Sequence, residues 1–189
     1  RVESRGMNLN RIERVNSVSR RYCARDMTLE EAYAELKKIK GRQYRKTMYN
    51  LATIGVCAGF APLFGGSWEE IGGAAIAGVV LALIITVGKY FRIQGFILNT
   101  FSAFGVALAA IFLKYLFGSM NMDTVIISSI MPIVPGVAIT YAIRDSLQGD
   151  YLAGAARTME AFMTAVAIAL GVGVGMAVTG ILRPGGGLF

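Results

Sequence analysis

Two short amphipathic helices are predicted at the start of the chain. Between residues 8 and 24 the apolar positions fall three or four apart, and they are Leu9, Ile12, Val15, Val18 and Tyr22. On a helix of 3.6 residues per turn these positions share one narrow face. A second helix is predicted to begin at Thr28, because Thr28 and Glu31 have the spacing of a capping box, and to end near Gly41.

Five long apolar segments follow these helices. A helix rises 1.5 Å per residue, so about 20 apolar residues cross a bilayer core of about 30 Å. The predicted spans are residues 45–64, 69–89, 95–117, 123–143 and 151–182. The sequence therefore predicts an all-α, polytopic membrane protein with five transmembrane helices over residues 44–189. Residues 1–43 are predicted to form a cytoplasmic helical hairpin, which we expect to be the end of a longer soluble segment.

The composition supports a membrane protein and disfavours an enzyme. The chain is 54% hydrophobic and only 16% charged, whereas a soluble domain is about 25% charged. It contains no histidine, and its two cysteines, Cys23 and Cys57, are far apart in sequence. These counts leave no ligand set for a His or Cys zinc site and no Ser-His-Asp or Cys-His pair. We expect no catalytic residue, metal or cofactor, and we interpret both cysteines as packing thiols.

The positive charge is concentrated before the first span. Residues 1–46 contain 13 of the 19 Lys and Arg residues, and the sequence is uncharged from Thr47 to Trp68. Basic residues beside a first span resist translocation, so this cluster predicts a cytoplasmic N-terminus rather than a nucleic-acid-binding arm. Because five is an odd number, we also expect a second membrane subunit that supplies a related half.

The fourth span contains the main candidate site. Pro132 and Pro135 interrupt its centre and remove two amide donors, so we expect backbone carbonyls near Ser128 and Met131 to lose their helical partners. Broken helices at this depth often mark transport sites, although a packed proline kink is the simpler alternative. The candidate substrate-binding residues in or beside the spans are Ser128, Ser129, Pro132, Pro135, Gly136, Thr140 and Asn99.

Four charged residues near the cytoplasmic ends of the last two spans complete the candidate site. Arg144 and Arg157 are candidates for binding a carboxylate, and Asp145 and Glu160 are candidates for proton coupling, because charges near spans are costly and tend to have roles. The alternative is a neutralised ion pair: Arg157 and Glu160 are three residues apart and share a helix face.

Small residues at four-residue spacing recur in the spans. They include Gly55-x-x-x-Gly59, Gly73-x-x-x-Ala77, Gly105-x-x-x-Ala109 and Gly171-x-x-x-Gly175. Such pairs let helices approach closely in lipid, so we interpret them as packing positions.

Several stretches together resemble the threonine/serine exporter family (ThrE type), in particular the five-span half that is made as a separate subunit. The stretches that carry the resemblance are Arg5–Leu9, Arg14–Arg21, Phe64–Trp68, Ile130–Gly136, Ala142–Asp145 and Gly149–Asp150. The resemblance implies a proton-driven exporter of small polar metabolites in the bacterial inner membrane, with either threonine and serine or a dicarboxylate such as succinate as the cargo. It also implies a second small membrane subunit of the same family. A homo-oligomer is the other assembly left open. A non-transporting membrane scaffold or assembly subunit is the alternative from a different functional class.

Overall fold

The computed structural model describes residues 9–39 and 45–182, and the chain divides into two compact units at Arg45. The first unit contains α1 (Leu9–Cys23) and α2 (Leu29–Lys38). The predicted capping box is present: Thr28 N donates to Glu31 Oε2 at 2.9 Å, and Glu31 N donates to Thr28 Oγ1 at 3.3 Å. These bonds satisfy amide groups that would otherwise have no partner at the start of α2.

A small apolar core and an ion pair join α1 to α2. Val18, Met27 and Ala32 are buried together, with Ile39 packed against them. Arg21 Nη1 lies 3.3 Å from Glu35 Oε1 in a largely exposed pair.

Seven helical segments make up the described part of the second unit, residues 46–182. They are α3 (Lys46–Leu63), α4 (Trp68–Tyr90), α5 (Gly95–Phe117), α6 (Met122–Ile130), a 3-10 turn (Met131–Ile133), α7 (Gly136–Leu147) and α8 (Tyr151–Leu182). The α4 and α5 helices pack against each other, and α3 and α6 pack on α4. The α8 helix packs along α5, and α7 packs mainly on α8.

The predicted count of five spans is not confirmed. Among the described residues, three helices are long and apolar enough to cross a membrane: Trp68–Tyr90, Gly95–Phe117 and Tyr151–Val178. The bent pair formed by α6 and α7 gives a fourth if it counts as one span. The segment predicted as the first span does form α3, but its 18 residues extend only about 27 Å and include Lys46 and Asn50 near its start. The length of α3 is thus just sufficient, and its polar residues lower the mean hydropathy, so α3 is not among the candidate spans.

Glycines bring α5 and α8 into close contact, as their spacing predicted. A Cβ added to Gly171 would lie 2.8 Å from Ala103 Cβ, and one added to Gly175 would lie 2.6 Å from Ala107 Cβ. Both distances are too short for a real side chain, so this interface requires glycine. The pair in α3 differs, because a Cβ at Gly55 or Gly59 would have no neighbour within 4 Å.

A buried carboxylate connects two loops at the start of α4. Glu70 Oε2 accepts hydrogen bonds from Ser67 N, at 2.7 Å, and from Ser67 Oγ, while its Oε1 accepts one from Asn121 N at 2.8 Å. The capping box formed by Ser67 and Glu70 thus also fixes the start of α6, a contact that sequence spacing did not indicate.

Candidate functional site

The fourth predicted span is broken at its prolines. The axes of α6 and α7 differ by 58° across a break of a few residues. Because Pro132 and Pro135 have no N–H, the α-helical ladder cannot continue, and tighter bonds replace it. Val134 N donates to Met131 O at 3.3 Å, and Gly136 N donates to Val134 O at 2.9 Å.

The break lies against the interior of the bundle. Ile130 and Ile133 pack on a buried apolar cluster contributed by three helices, whose members are Cys57 of α3, Leu81 and Ile85 of α4, and Val106 of α5. The 3-10 turn also contacts α3. The interrupted backbone is therefore enclosed by protein on at least this side, which is the setting in which irregular backbone is tolerated within a membrane.

Cys57 partners one of the carbonyls near the break. Its fully buried thiol donates to Ser129 O across a 3.4 Å Sγ–O distance. The loss of regular helical bonding after Ile130 makes such a carbonyl available to an external donor. The sequence predicts only a packing thiol at Cys57. The available signal for a further role is that this cysteine lies in an otherwise apolar, glycine-rich span.

The predicted hydroxyl ligands all bond to backbone. Ser128 Oγ donates to Thr124 O at 2.7 Å within its own helix. Ser129 Oγ is 3.5 Å from Ala74 O of α4, and Thr140 Oγ1 donates to Gly136 O at 3.0 Å. Both serines are fully buried, whereas Thr140 is exposed. Back-bonding, the simpler use of such residues, accounts for Ser128 and Thr140.

The remaining predicted residues of the spans are more accessible. Pro132, Pro135 and Asn99 are half-buried, and Gly136 is exposed with open space around its Cα. Asn99 lies in the second turn of α5 rather than on the broken span.

The structure shows an ion pair that the sequence analysis did not name. Arg157 Nε lies 2.8 Å from Asp145 Oδ2, so this ion pair joins α8 to α7. The guanidinium of Arg157 also lies 5.4 Å from the centre of the Tyr141 ring. The antiparallel packing of α7 on α8 brings these groups together, which spacing along one helix could not reveal. Arg144 and Glu160 are exposed.

Ser102 is a further polar residue that the sequence analysis did not select. Its side chain is completely buried in α5, and its Oγ has no hydrogen-bond partner, alone among buried side-chain N and O atoms of the described residues. Ser102 is one turn before Val106 on the same helix face. Since Val106 packs in the cluster that receives Ile130 and Ile133, the hydroxyl lies about one helical turn from the edge of the cluster beside the break.

A separate open groove of about 560 Å³ runs along α7 and α8. It is lined by Ser146, Tyr151, Ala155, Thr158, Met159 and Phe162. The groove includes none of the predicted site residues. Within residues 9–39 and 45–182, no group of three or more potential ligands could hold a metal ion.

The long apolar helices and the broken span define the second unit as the domain of a multi-pass α-helical membrane protein. The model of the ThrE family, described as "Putative threonine/serine exporter", matches residues 1–179, and the chain belongs to that family. No curated protein and no solved structure gave a significant match.

Proposed function

We propose that the chain is one subunit of an exporter of small polar metabolites, either threonine and serine or a dicarboxylate such as succinate. Membership of a family described as putative threonine/serine exporters supports this class of activity. The observation that carries the proposal is the 58° break between α6 and α7, beside which Ile130 and Ile133 pack on a buried cluster of α3, α4 and α5. Interrupted helices of this kind supply ligands and flexibility in many transporters.

The proposed cargo site lies on the α7 side of the break. Gly136 and Pro135 would present backbone groups, and Ser102 and Asn99 would supply polar side chains from α5. Ser128 and Ser129 would support the break rather than bind cargo, because their hydroxyls bond to backbone. Thr140 would have to exchange its bond to Gly136 O for a cargo atom.

The ion pair between Arg157 and Asp145 suggests how protons and cargo could be coupled. Protonation of Asp145 would remove its charge and release Arg157, which could then bind a carboxylate group of the cargo. Exposed Arg144 would provide a first contact for an anion, and Glu160, one turn along α8, would be a second proton carrier. A proton gradient would then drive export.

We further propose that α3 completes a five-span bundle in the bacterial inner membrane, with a cytoplasmic N-terminus and residues 1–43 on the cytoplasmic side. Lys89 Nζ lies 4.5 Å from the centre of the Tyr49 ring, at the end of α4 and near the start of α3. Tyrosine and lysine are typical of the membrane–water interface, so this contact supports an interfacial position for both helix ends.

The exposed face of α3 is the proposed contact for the second membrane subunit. Both Gly55 and Gly59 are exposed, and a Cβ added to either would meet no atom within 4 Å. Glycines four residues apart are frequent at helix contacts in lipid. Gly59→Leu should reduce copurification of the second subunit, whereas Gly72→Leu, at an equally open position of α4, should not. Equal copurification of the two variants would argue against this face.

Efflux measurements test the proposed function. Both subunits would be reconstituted into vesicles loaded with labelled serine, threonine or succinate, with and without a pH gradient. The double variant Pro132→Ala/Pro135→Ala restores two amide donors and should lower efflux at least about tenfold while the protein stays folded. Pro62→Ala, near the end of α3, is the matched control. Unchanged efflux in the double variant would contradict a role for the break.

One observation favours the alternative of a scaffold or assembly subunit. The hydroxyls of Ser128, Ser129 and Thr140 all bond to backbone, as expected for a purely architectural kink. A scaffold predicts that the double proline variant assembles with its partner and that the assembly exports normally. An exporter predicts normal assembly with lost efflux, so copurification and efflux measured on the same sample separate the two functions.

A further inference from the structure

The first unit leaves much of its apolar surface uncovered. Its core of Val18, Met27 and Ala32 is small, while neighbouring apolar side chains are exposed to the extent of 66% for Leu29 and 68% for Tyr33. The exposed apolar face of the unit consists of Ile12, Val15 and Tyr22 on α1 and of Leu29, Tyr33 and Leu36 on α2. Two helices with so small a core would ordinarily bury such a face against a further partner.

The apolar residues of both helices lie along the same edge of their contact. At about 100° per residue, Val15 and Tyr22 lie about 40–60° round α1 from buried Val18, and Arg21 lies about 60° in the opposite direction. On α2, Leu29 and Leu36 lie about 40–60° round the helix from buried Ala32, and Glu35 lies about 60° from Ala32 in the opposite direction. Because Arg21 pairs with Glu35, the ion pair marks one edge of the helix contact, and the apolar side chains follow the other.

The charge beside this face is strongly positive. From Lys37 to Lys46 the sequence contains six basic residues, and no acidic residue occurs between Leu36 and Glu69. Lys46 begins α3, so the basic run joins the exposed apolar face directly to the membrane domain. In sequence, only seven residue steps separate Ile39 from Lys46, which corresponds to a contour length of at most about 25 Å.

We propose that α1 and α2 lie on the anionic surface of the bilayer and insert their exposed apolar face at the boundary between headgroups and acyl chains. Tyr22 and Tyr33 carry aromatic rings with polar hydroxyl tips, which suit that boundary. The basic run complements anionic headgroups, as in other interfacial amphipathic helices. This inference concerns a lipid-binding surface and does not depend on the exporter function.

Site-directed labelling of the full chain tests the proposal. In a Cys23→Ser background, a cysteine is introduced either at Val15 on the exposed face or at exposed Ser17 on the opposite side of α1, and is labelled with a polarity-sensitive NBD fluorophore. Buried Cys57 should remain unlabelled, which the background variant checks. The protein is reconstituted into vesicles of phosphatidylcholine alone or of phosphatidylcholine with about 30% phosphatidylglycerol. The phosphatidylglycerol supplies an anionic surface like that of a bacterial membrane.

The probe at position 15 should be quenched by doxyl-labelled lipid and protected from iodide, with several-fold stronger lipid quenching in the anionic vesicles. The probe at position 17 should show the reverse preference for quenchers. Tyr33→Cys and Ala34→Cys repeat the comparison on α2, in case a substitution at Val15 disturbs folding. Three results would each overturn the proposal: equal quenching at the paired positions, protection of position 15 from both quenchers, or lipid quenching that is independent of phosphatidylglycerol. Protection from both would indicate a protein partner, such as a second copy or the membrane domain.

Discussion

At the scale of single residues, two buried polar side chains on different helices lie near the broken span and have opposite hydrogen-bonding states. The thiol of Cys57 has a partner in Ser129 O, and the hydroxyl of Ser102 has none. A bonded group contributes to stability, whereas a buried group without a partner costs free energy unless a ligand or water satisfies it. The two residues therefore make different predictions.

Cys57→Ala should lower the free energy of unfolding in detergent by about 1–2 kcal/mol, because it removes both packing and the bond to Ser129 O. Cys57→Ser, which retains a donor, should lose less. Chemical unfolding curves of the two variants would test this order. If serine is no better than alanine, the bond contributes nothing measurable.

Ser102→Ala should leave stability unchanged or raise it by about 1 kcal/mol, because the hydroxyl lacks a partner. If Ser102 binds cargo, the same variant should nevertheless reduce efflux. Ser129→Ala is the control: it should lower stability slightly, through loss of the long contact to Ala74 O, with little effect on efflux. Normal efflux from Ser102→Ala would exclude Ser102 from the cargo site.

At the scale of elements, the break makes α7 a separate helix that packs mainly on α8. Gly136, the first residue of α7, has open space around it, whereas Gly154 of α8 is in close contact with α7. A Cβ at Gly154 would lie 3.1 Å from Ala142 O and 3.2 Å from Ser146 N. Alanine substitutions at the two glycines therefore test different properties. The substitution at Gly136 tests whether α7 moves about its first residue, and the substitution at Gly154 tests the packing of α7 on α8.

Gly136→Ala should raise the free energy of unfolding by about 0.4–1 kcal/mol, because it restricts the unfolded chain without a clash. Efflux should fall if α7 moves about this residue during transport. Gly154→Ala should instead destabilise the protein by about 1–3 kcal/mol. Thermal unfolding and vesicle efflux of both variants test the distinction, and a Gly136→Ala protein that is stabilised and fully active would show that no hinge motion is needed.

At the scale of the whole membrane domain, small residues decide where helices meet. The contact of α5 with α8 depends on Gly171 and Gly175 approaching Ala103 and Ala107. Without a hydrophobic driving force between helices in lipid, such close approach is a main source of packing energy.

Gly171→Ala should lower the free energy of unfolding by about 1–3 kcal/mol, because its Cβ would overlap α5. Gly173→Ala, two residues away on the same helix, has open space and should change stability by less than about 0.5 kcal/mol. Unfolding of the two variants in matched micelles provides the measurement. Equal stabilities would contradict the α5–α8 contact.

The sequence by itself determined the helices, their caps and the break. Periodic apolar positions, the capping boxes at Thr28 and Ser67 and the prolines at 132 and 135 act over three or four residues, so local spacing is sufficient to predict them. Only the tertiary structure decided which distant groups meet: Arg157 pairs with Asp145, Cys57 bonds to Ser129 O, and Gly171 rather than Gly55 lies in a helix contact. Such contacts depend on how each helix is rotated about its axis and on the angle at which it crosses its neighbours, and the spacing of residues along the sequence determines neither.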